Sequence, residues 1–155
     1  MRVKIISVGT RVPTWIDSGI AEFTKRLAHD MPIEWVEIQA PKRSNTNSLQ
    51  ARAEEGKLIA KVLPTNAYVV ALEVKGQTFS SEGLADFLVQ RQREGQDLMF
   101  IIGGAEGIEP SISQRANLQW SLSSLTLPHM LVRVVLAEAL YRAVSIIKGH
   151  PYHRA

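Results

Sequence analysis

The chain is predicted to be an α/β protein with a mainly parallel sheet sandwiched by helices. Short apolar runs rich in β-branched residues alternate with amphipathic helical patterns along its 155 residues. Two of these runs, Ala67–Leu72 and Leu98–Ile102, are apolar throughout, as in strands buried on both faces of a parallel sheet. No internal repeat and no long linker divides the chain. A single domain over residues 1–155 is therefore expected.

The elements follow from two periodicities, strands from compact apolar runs and helices from apolar positions three and four residues apart. A polar, turn-rich stretch over Ala40–Ser48 predicts a mobile surface loop. Pro128 stands where the final helix should begin, a favoured position for proline. The predicted order is strand Arg2–Val8, helix Thr14–Ala28, strand Ile33–Ile38, helix Leu49–Leu63, strand Ala67–Leu72, helix Ser81–Arg93, strand Leu98–Ile102, a short helix near Ser111–Ala116, a weaker strand around Gln119–Leu122 and a long final helix.

Composition excludes several classes of protein. With 45% hydrophobic and 21% charged residues, the chain is typical of soluble globular proteins. Its longest apolar run, Met130 to Ile147, carries three charged residues, and the N-terminal residues lack the pattern of a signal peptide. We therefore expect a cytoplasmic protein with no membrane segment. The absence of cysteine excludes disulfides, thiolate nucleophiles and cysteine-ligated metals.

Positive charge is concentrated at the C-terminal end. Residues 120–155 hold four Lys/Arg against one acidic residue, together with three of the four histidines. Such a basic end favours an anionic partner such as nucleic acid, and a solvated charged surface is the alternative.

Ligands of open α/β sheets bind beyond the carboxyl ends of the strands, and two unusual stretches fall there. Gly103–Gly107 (GGAEG) follows a predicted strand and is either a tight turn or a backbone surface that a ligand approaches. It is not a G-x-G-x-x-G pattern, and no Walker A pattern occurs. Ser121–His129 (SLSSLTLPH) combines four hydroxyls with leucines, which suits a flat, mostly uncharged ligand such as an adenosine, or forms a capped loop.

The final helix is apolar nearly all round, which predicts packing against the sheet on one side and a second subunit on the other. Glu138 and Arg142 are four residues apart and are expected to form an ion pair. The tail contains His150-x-x-His153, but no third ligand accompanies it, so no metal site is predicted. The tail is either disordered or docked, with Tyr152, His153 and Arg154 contacting a nucleotide.

Three stretches, FIIGGAEG, WSLSSLTLPHMLVRVVLAEALYRA and the terminal GHPYHR, resemble the ribosomal RNA large subunit methyltransferase H family. The similarity runs from SVGT near the start to the last residues. These SPOUT-superfamily enzymes use S-adenosylmethionine to methylate N3 of a pseudouridine in 23S rRNA. The resemblance implies a C-terminal trefoil knot, a homodimer and S-adenosylmethionine as cofactor. It assigns to cofactor binding Leu72, Glu73, Gly103, Gly104, Ser123, Ser124, Leu125, Thr126, Leu127 and Pro128.

The chemistry of that reaction suggests roles for the remaining residues. His153 is expected to accept the N3 proton, directly or through water, and Arg142 to stabilise charge on the flanking oxygens. Tyr152 and Arg154 would position the nucleotide, and Arg133 would join the tail and the basic N-terminal third in binding the assembled ribosome. Because no Lys or Arg lies between Arg115 and Arg133, a cofactor cleft without cations is expected.

Two other functions compete with this interpretation. A ribosome-associated RNA-binding dimer without catalysis would keep the basic end and the helix but would need no cofactor pocket. A flavodoxin-like nucleotide-binding protein would need an early phosphate cradle, for which Gly9–Pro13 is poorly suited.

Overall fold

The computed structural model describes residues 1–41 and 47–154. Most of the predicted polar loop, residues 42–46, lies outside the described residues. The strands are β1 (Val3–Val8), β2 (Ile33–Ile38), β3 (Tyr68–Gln77), β4 (Leu98–Ile102) and β5 (Leu118–Trp120). They form one sheet in the order β2-β1-β4-β3-β5, and every neighbouring pair is parallel.

Helices cover both faces of this sheet. They are α1 (Thr14–Leu27), α2 (Ser48–Val62), α3 (Ser81–Glu94), α4 (Pro110–Arg115) and α5 (His129–Lys148), and a 3-10 turn over Pro151–His153 follows. One face of the sheet packs in a core with residues of α1, α3 and α5, and the other packs with residues of α2 and α4. The central strand β4 is buried at all five positions, as its apolar run predicts. The predicted α/β sandwich with a parallel sheet is confirmed.

Local signals account for the helix ends. Asn47 and Gln50 form a reciprocal capping box at the start of α2. Ser80 accepts a hydrogen bond from the backbone of Gly83 at the start of α3. Pro128 is the N-cap of α5, so α5 begins one residue later than the proline suggested.

Strand β3 is longer than its apolar run predicted. It continues from Leu72 through exposed residues to Gln77, where its carbonyl accepts a hydrogen bond from Ser121 N at 2.7 Å. The chain approaches so closely that a Cβ at Gly76 would lie 2.6 Å from the backbone carbonyl carbon of Gln119. Strand β5 therefore packs so closely against the end of β3 that no side chain fits at position 76.

None of the helices within residues 1–41 and 47–154 is long and apolar enough to cross a membrane.

Candidate active site

A cavity of about 900 Å³ opens at the carboxyl ends of β3, β4 and β5. The chain leaves β3 through α3 on one face of the sheet and leaves β4 through α4 on the other. Such a reversal opens a crevice at the edge of a parallel sheet, which is the usual ligand site of these folds. Nine of the ten residues that the resemblance assigns to the cofactor line the cavity, namely Leu72, Glu73, Gly103, Gly104, Ser123, Leu125, Thr126, Leu127 and Pro128. Ser124 is exposed and is not part of this lining.

The glycine turn after β4 forms one wall. Gly107 N donates to Gly104 O at 3.0 Å, which closes the turn. A Cβ at Gly103 would lie 2.7 Å from the backbone carbonyl carbon of Gly107, closer than side chains approach. Glycine is therefore required at position 103 by the protein's own backbone, and the same turn presents main chain to the cavity.

The hydroxyl-rich segment before α5 forms the opposite wall. Ser121 Oγ donates to Ser123 O at 2.8 Å, and Ser123 Oγ accepts from Leu125 N at 2.9 Å. These bonds hold the segment in one shape and leave Leu125 74% exposed at the cavity. An exposed leucine beside hydrogen-bonding main chain is typical of a pocket for a mostly apolar ligand. The segment is therefore a loop held by its own hydrogen bonds that also lines the cavity, and no side chain caps α5.

Four charged side chains also border the cavity, and this corrects the expected cleft without cations. Glu73 accepts a hydrogen bond from Ser113 Oγ at 2.7 Å, so its carboxylate is held between β3 and α4. Arg52, Lys75 and Glu106 complete the set, and the formal charges cancel. The expectation considered only the residues between Arg115 and Arg133. It missed the two cations because Arg52 lies on α2 and Lys75 lies on the extension of β3.

A second cluster joins α5 to the C-terminal turn. Oε1 of Glu138 accepts from Nε of Arg142 at 2.9 Å and from the phenol of Tyr152 at 3.1 Å. The Tyr152 ring meets the Tyr141 ring edge-on, with centroids 4.6 Å apart. The predicted Glu138–Arg142 pair is confirmed, and the tail is docked rather than frayed.

The cluster shifts two pKa values. The hydrogen bond to Glu138 raises the pKa of Arg142, so the guanidinium stays charged. Burial, followed by the charge of Glu138, raises the pKa of Tyr152, so the phenol keeps its proton at neutral pH.

The other two tail residues differ in exposure. His153 is half-buried, and its Nδ1 is itself buried, with no hydrogen-bond partner among the described residues. Arg154 is exposed.

Arg133 does not fit the predicted contact with RNA. Its side chain is 1% exposed, and it forms an ion pair with Glu37 at 2.9 Å. Its Nη2 also donates to the carbonyls of Val8 and Gly9, at 3.2 and 2.8 Å. The guanidinium therefore ties the start of α5 to the ends of β1 and β2, and it is not presented to a ligand.

The cavity and the tail cluster lie at different levels of α5. Val132 lines the cavity, whereas Arg142 is ten residues further along the helix. At a rise of about 1.5 Å per residue, the two positions are roughly 15 Å apart along the axis. The structure therefore gathers the predicted cofactor residues in one place and the predicted catalytic residues in another.

Residues 1–153 match the model of the family described as "Predicted SPOUT methyltransferase". The protein named ribosomal RNA large subunit methyltransferase H from Stenotrophomonas maltophilia (strain K279a) is 49% identical to this chain, over 100% of both chains. The protein of the same name from Hahella chejuensis is 45% identical over 99% of each. The chain belongs to the SPOUT methyltransferase family.

Solved structures support the fold of this SPOUT methyltransferase. A probable methylase family protein from Haemophilus influenzae Rd KW20 aligns with a TM-score of 0.58 at 10% identity, covering 99% of this chain and 70% of its own. A putative methylase family protein from Neisseria gonorrhoeae aligns with a TM-score of 0.52 at 13% identity, covering 90% and 81%. At these identities the likeness concerns the fold alone.

Among the residues that the structure describes, no group of three or more His, Asp or Glu side chains could hold a metal ion. His150 Nδ1 instead accepts the backbone N–H of Tyr152 at 3.2 Å. In this methyltransferase the His150-x-x-His153 spacing thus belongs to the C-terminal turn.

Sequence reasoning missed the contact between Glu138 and Tyr152. The two residues are fourteen positions apart, and no periodicity connects a helix to the turn that folds back on it. The only signal was that Glu138 is the single acidic residue within 120–155.

Proposed function

We propose that this chain is an S-adenosylmethionine-dependent methyltransferase that methylates N3 of a pseudouridine in 23S rRNA. The observation that carries the proposal is the cavity, which is lined by the glycine turn, by residues of β3 and by most of the segment 123–128. The chain that forms this cavity belongs to a family of methyltransferases. The full-length relatives at 45–49% identity, which are named for large-subunit ribosomal RNA, support rRNA as the substrate.

The cavity suits this cofactor chemically. S-adenosylmethionine has no phosphates, and the chain has no phosphate-binding loop. When bound, the group supplies a methyl on a cationic sulfonium. The charges of Glu73 and Glu106 are balanced by Arg52 and Lys75, so the cavity is formally neutral, and Leu125 brings apolar surface for an adenosine.

Residues of the tail cluster act on the RNA nucleobase. The target nitrogen is an imide N–H between two carbonyls, and its proton must leave as the nitrogen takes the methyl group. His153 accepts this proton, directly or through water, because a neutral imidazole nitrogen is a general base. Arg142, held as a cation by Glu138, stabilises the charge that develops on the flanking oxygens. Attack by a ring nitrogen needs no thiolate adduct, which agrees with the absence of cysteine.

The working form in this proposal is a homodimer. Within one chain the tail cluster and the cavity are about 15 Å apart along α5, too far for methyl transfer. A second copy of the chain can bring its tail over the cavity of the first. Half-buried apolar side chains on α5, Leu131 and Val135 among them, supply surface for such an interface.

The remaining assignments follow the same resemblance. We propose a single cytoplasmic domain whose C-terminal segment forms a trefoil knot. We also propose that it recognises the surface of the assembled ribosome through Arg154 and the basic N-terminal third. Equal activity on naked rRNA fragments and on whole ribosomes would contradict this substrate.

The decisive experiment has two arms. Mass spectrometry of 23S rRNA from a strain lacking the protein should show one pseudouridine without its methyl group, and the purified protein with S-adenosylmethionine should restore it. Calorimetry should show the cofactor binding to the purified protein. A protein that binds ribosomes but not the cofactor would instead be a non-catalytic RNA-binding dimer.

A further inference from the structure

We propose that Glu138 is a positioning residue for methyl transfer, which holds Arg142 and the C-terminal turn in one arrangement through a single carboxylate oxygen. The inference rests on the proposed function, because it concerns residues assigned there to catalysis. It adds a residue that touches neither the cofactor cavity nor, in this proposal, the base.

The geometry converges on one atom. Oε1 of Glu138 lies 2.9 Å from Nε and 2.7 Å from Nη2 of Arg142, and 3.1 Å from the phenol oxygen of Tyr152. The side chains of Glu138 and Arg142 are 29% and 27% exposed, so this pair is better shielded than a surface pair. Charge-assisted bonds that share an acceptor fix the two donors relative to each other.

The C-terminal turn depends on this anchor. Its own backbone bonds are few, His150 N to Ser145 O at 2.8 Å and Arg154 N to Pro151 O at 3.1 Å. A three-residue 3-10 turn at a chain end frays unless side chains hold it. Tyr152 is the side chain of this turn that reaches back to α5, through its phenol and through its ring.

Tyr152 therefore has a different role from the base contact expected from sequence. Its ring meets Tyr141 on one side, and the Arg142 guanidinium lies 5.0 Å from its centroid. Its hydroxyl is bonded to Glu138. With its polar tip and ring engaged inside the chain, Tyr152 places its neighbours, and His153 and Arg154 are the tail residues that reach the nucleotide.

The carboxylate is the right acceptor for both donors. Arg142 is cationic, and the raised pKa of Tyr152 keeps the phenol protonated as a donor. The charged and titratable groups facing the phenol are Glu138, Arg142 and, from α1, Arg26. An amide at position 138 would keep an oxygen acceptor but lose the charge that attracts Arg142.

The test uses Glu138→Gln, Tyr152→Phe, Tyr152→Ala and the double variant Glu138→Gln/Tyr152→Phe, assayed on ribosomes in the full-length protein. Losing a hydrogen bond to a charged group should lower kcat about tenfold or more in each single variant. The cofactor Kd should stay within about twofold, because the cavity is elsewhere on α5. The double variant should be little worse than the less active single variant, because both changes weaken the same contact between residue 138 and the Tyr152 side chain. Glu94→Gln breaks the comparable Arg91–Glu94 pair on α3 and should leave all values unchanged.

A structural readout accompanies the kinetics. Trypsin cleavage after Lys148, which releases the tail, should be faster in Glu138→Gln than in the wild type and in Glu94→Gln.

Wild-type activity of both Tyr152→Phe and Glu138→Gln, with loss only in Tyr152→Ala, would show that the ring stacks on the base and would overturn the inference. An unchanged cleavage rate would also overturn it. Failure of the proposed function looks different: Arg142→Ala and His153→Gln would then retain wild-type activity, whatever the effect at position 138.

Discussion

The phenol of Tyr152 donates a hydrogen bond to Glu138, and Arg142 donates to the same carboxylate oxygen. This relationship turns the last residues of the chain into an extension of α5. A short terminal turn is thereby held in a defined position, as the proposed contact with an RNA base would require.

Arg142→Ala and His153→Gln should abolish most of the activity while leaving the protein folded. Loss of a group that stabilises developing charge, or of a general base, lowers kcat by about 10² to 10⁴. Calorimetry should show wild-type cofactor affinity for both, because neither residue lines the cavity. Methylation at the wild-type rate by either variant would remove that residue from the mechanism.

Gly103→Ala should weaken cofactor binding. The added Cβ would lie 2.7 Å from the backbone of Gly107, so the turn that forms the cavity wall must move. We expect the cofactor Kd to rise about tenfold or more, measured by calorimetry. Gly83→Ala on α3 is the matched control, since its Cβ meets its nearest neighbour, Ser80 Oγ, at 3.2 Å. Equal affinity of both variants would show that the turn does not contact the cofactor.

Mixing two inactive variants should restore activity if the site is built from two subunits. A heterodimer of Gly103→Ala and His153→Gln chains has one site with an intact cavity and an intact tail. After random exchange about half of the dimers are mixed, and each mixed dimer has one working site of its two. The mixture should therefore recover about a quarter of wild-type activity. Mixtures that stay inactive after verified subunit exchange would place cavity and tail of each site in the same chain.

Arg133→Met should destabilise the protein without altering its electrostatic attraction to RNA. The change removes the ion pair with Glu37 and leaves the carbonyls of Val8 and Gly9 without this donor. Because Glu37 is 42% exposed and can be rehydrated, the cost should be about 2–3 kcal/mol in the free energy of unfolding. Urea denaturation measures this cost.

Arg154→Ala is the contrasting variant. It should leave the urea midpoint unchanged and reduce the salt dependence of ribosome binding by about one phosphate contact. A reduced salt dependence in Arg133→Met instead would restore Arg133 as an RNA ligand.

Glu109 should make stability depend on acid pH. Its carboxylate accepts hydrogen bonds from the hydroxyl and backbone of Ser111 at the start of α4, and the hydroxyl bond is the main cause of its lowered pKa. Because the folded-state pKa lies below 4.5, the stabilisation is complete above that pH and is lost as pH falls through the folded value. Glu109→Gln should be less stable than the wild type at neutral pH, and the difference should shrink as the pH falls from 4.5 through the folded-state pKa of Glu109. A urea midpoint difference that is the same at both pH values would contradict this.

Much of the fold was predictable because its signals are local. The apolar runs of β1 and β4, and the helical periods of α1 and α3, depend on neighbouring residues, and their bounds agree within a residue or two. Strand β3 was predicted five residues short, since Glu73 to Gln77 are polar or exposed. At the end of this extension Gln77 pairs with Trp120 of β5 after a register shift, a contact that no local pattern records.

Part of the candidate site was likewise predictable from local sequence, and part was not. The motif residues at the strand ends line the cavity, since parallel strands bring their carboxyl ends to one edge. Arg133 was misassigned because composition counts a buried arginine and an exposed one alike. Arg52 and Lys75 were missed because they reach the cavity from elements distant in sequence.

The sequence by itself determined the class of fold, the family and the stretches that line the cavity, because periodicity and contiguous motifs are local properties of the chain. Only the tertiary structure decided which charges are buried, which reach the cavity, and that the C-terminal turn is held by Glu138. Those outcomes depend on burial and on contacts between distant residues, and both arise only when the chain has packed.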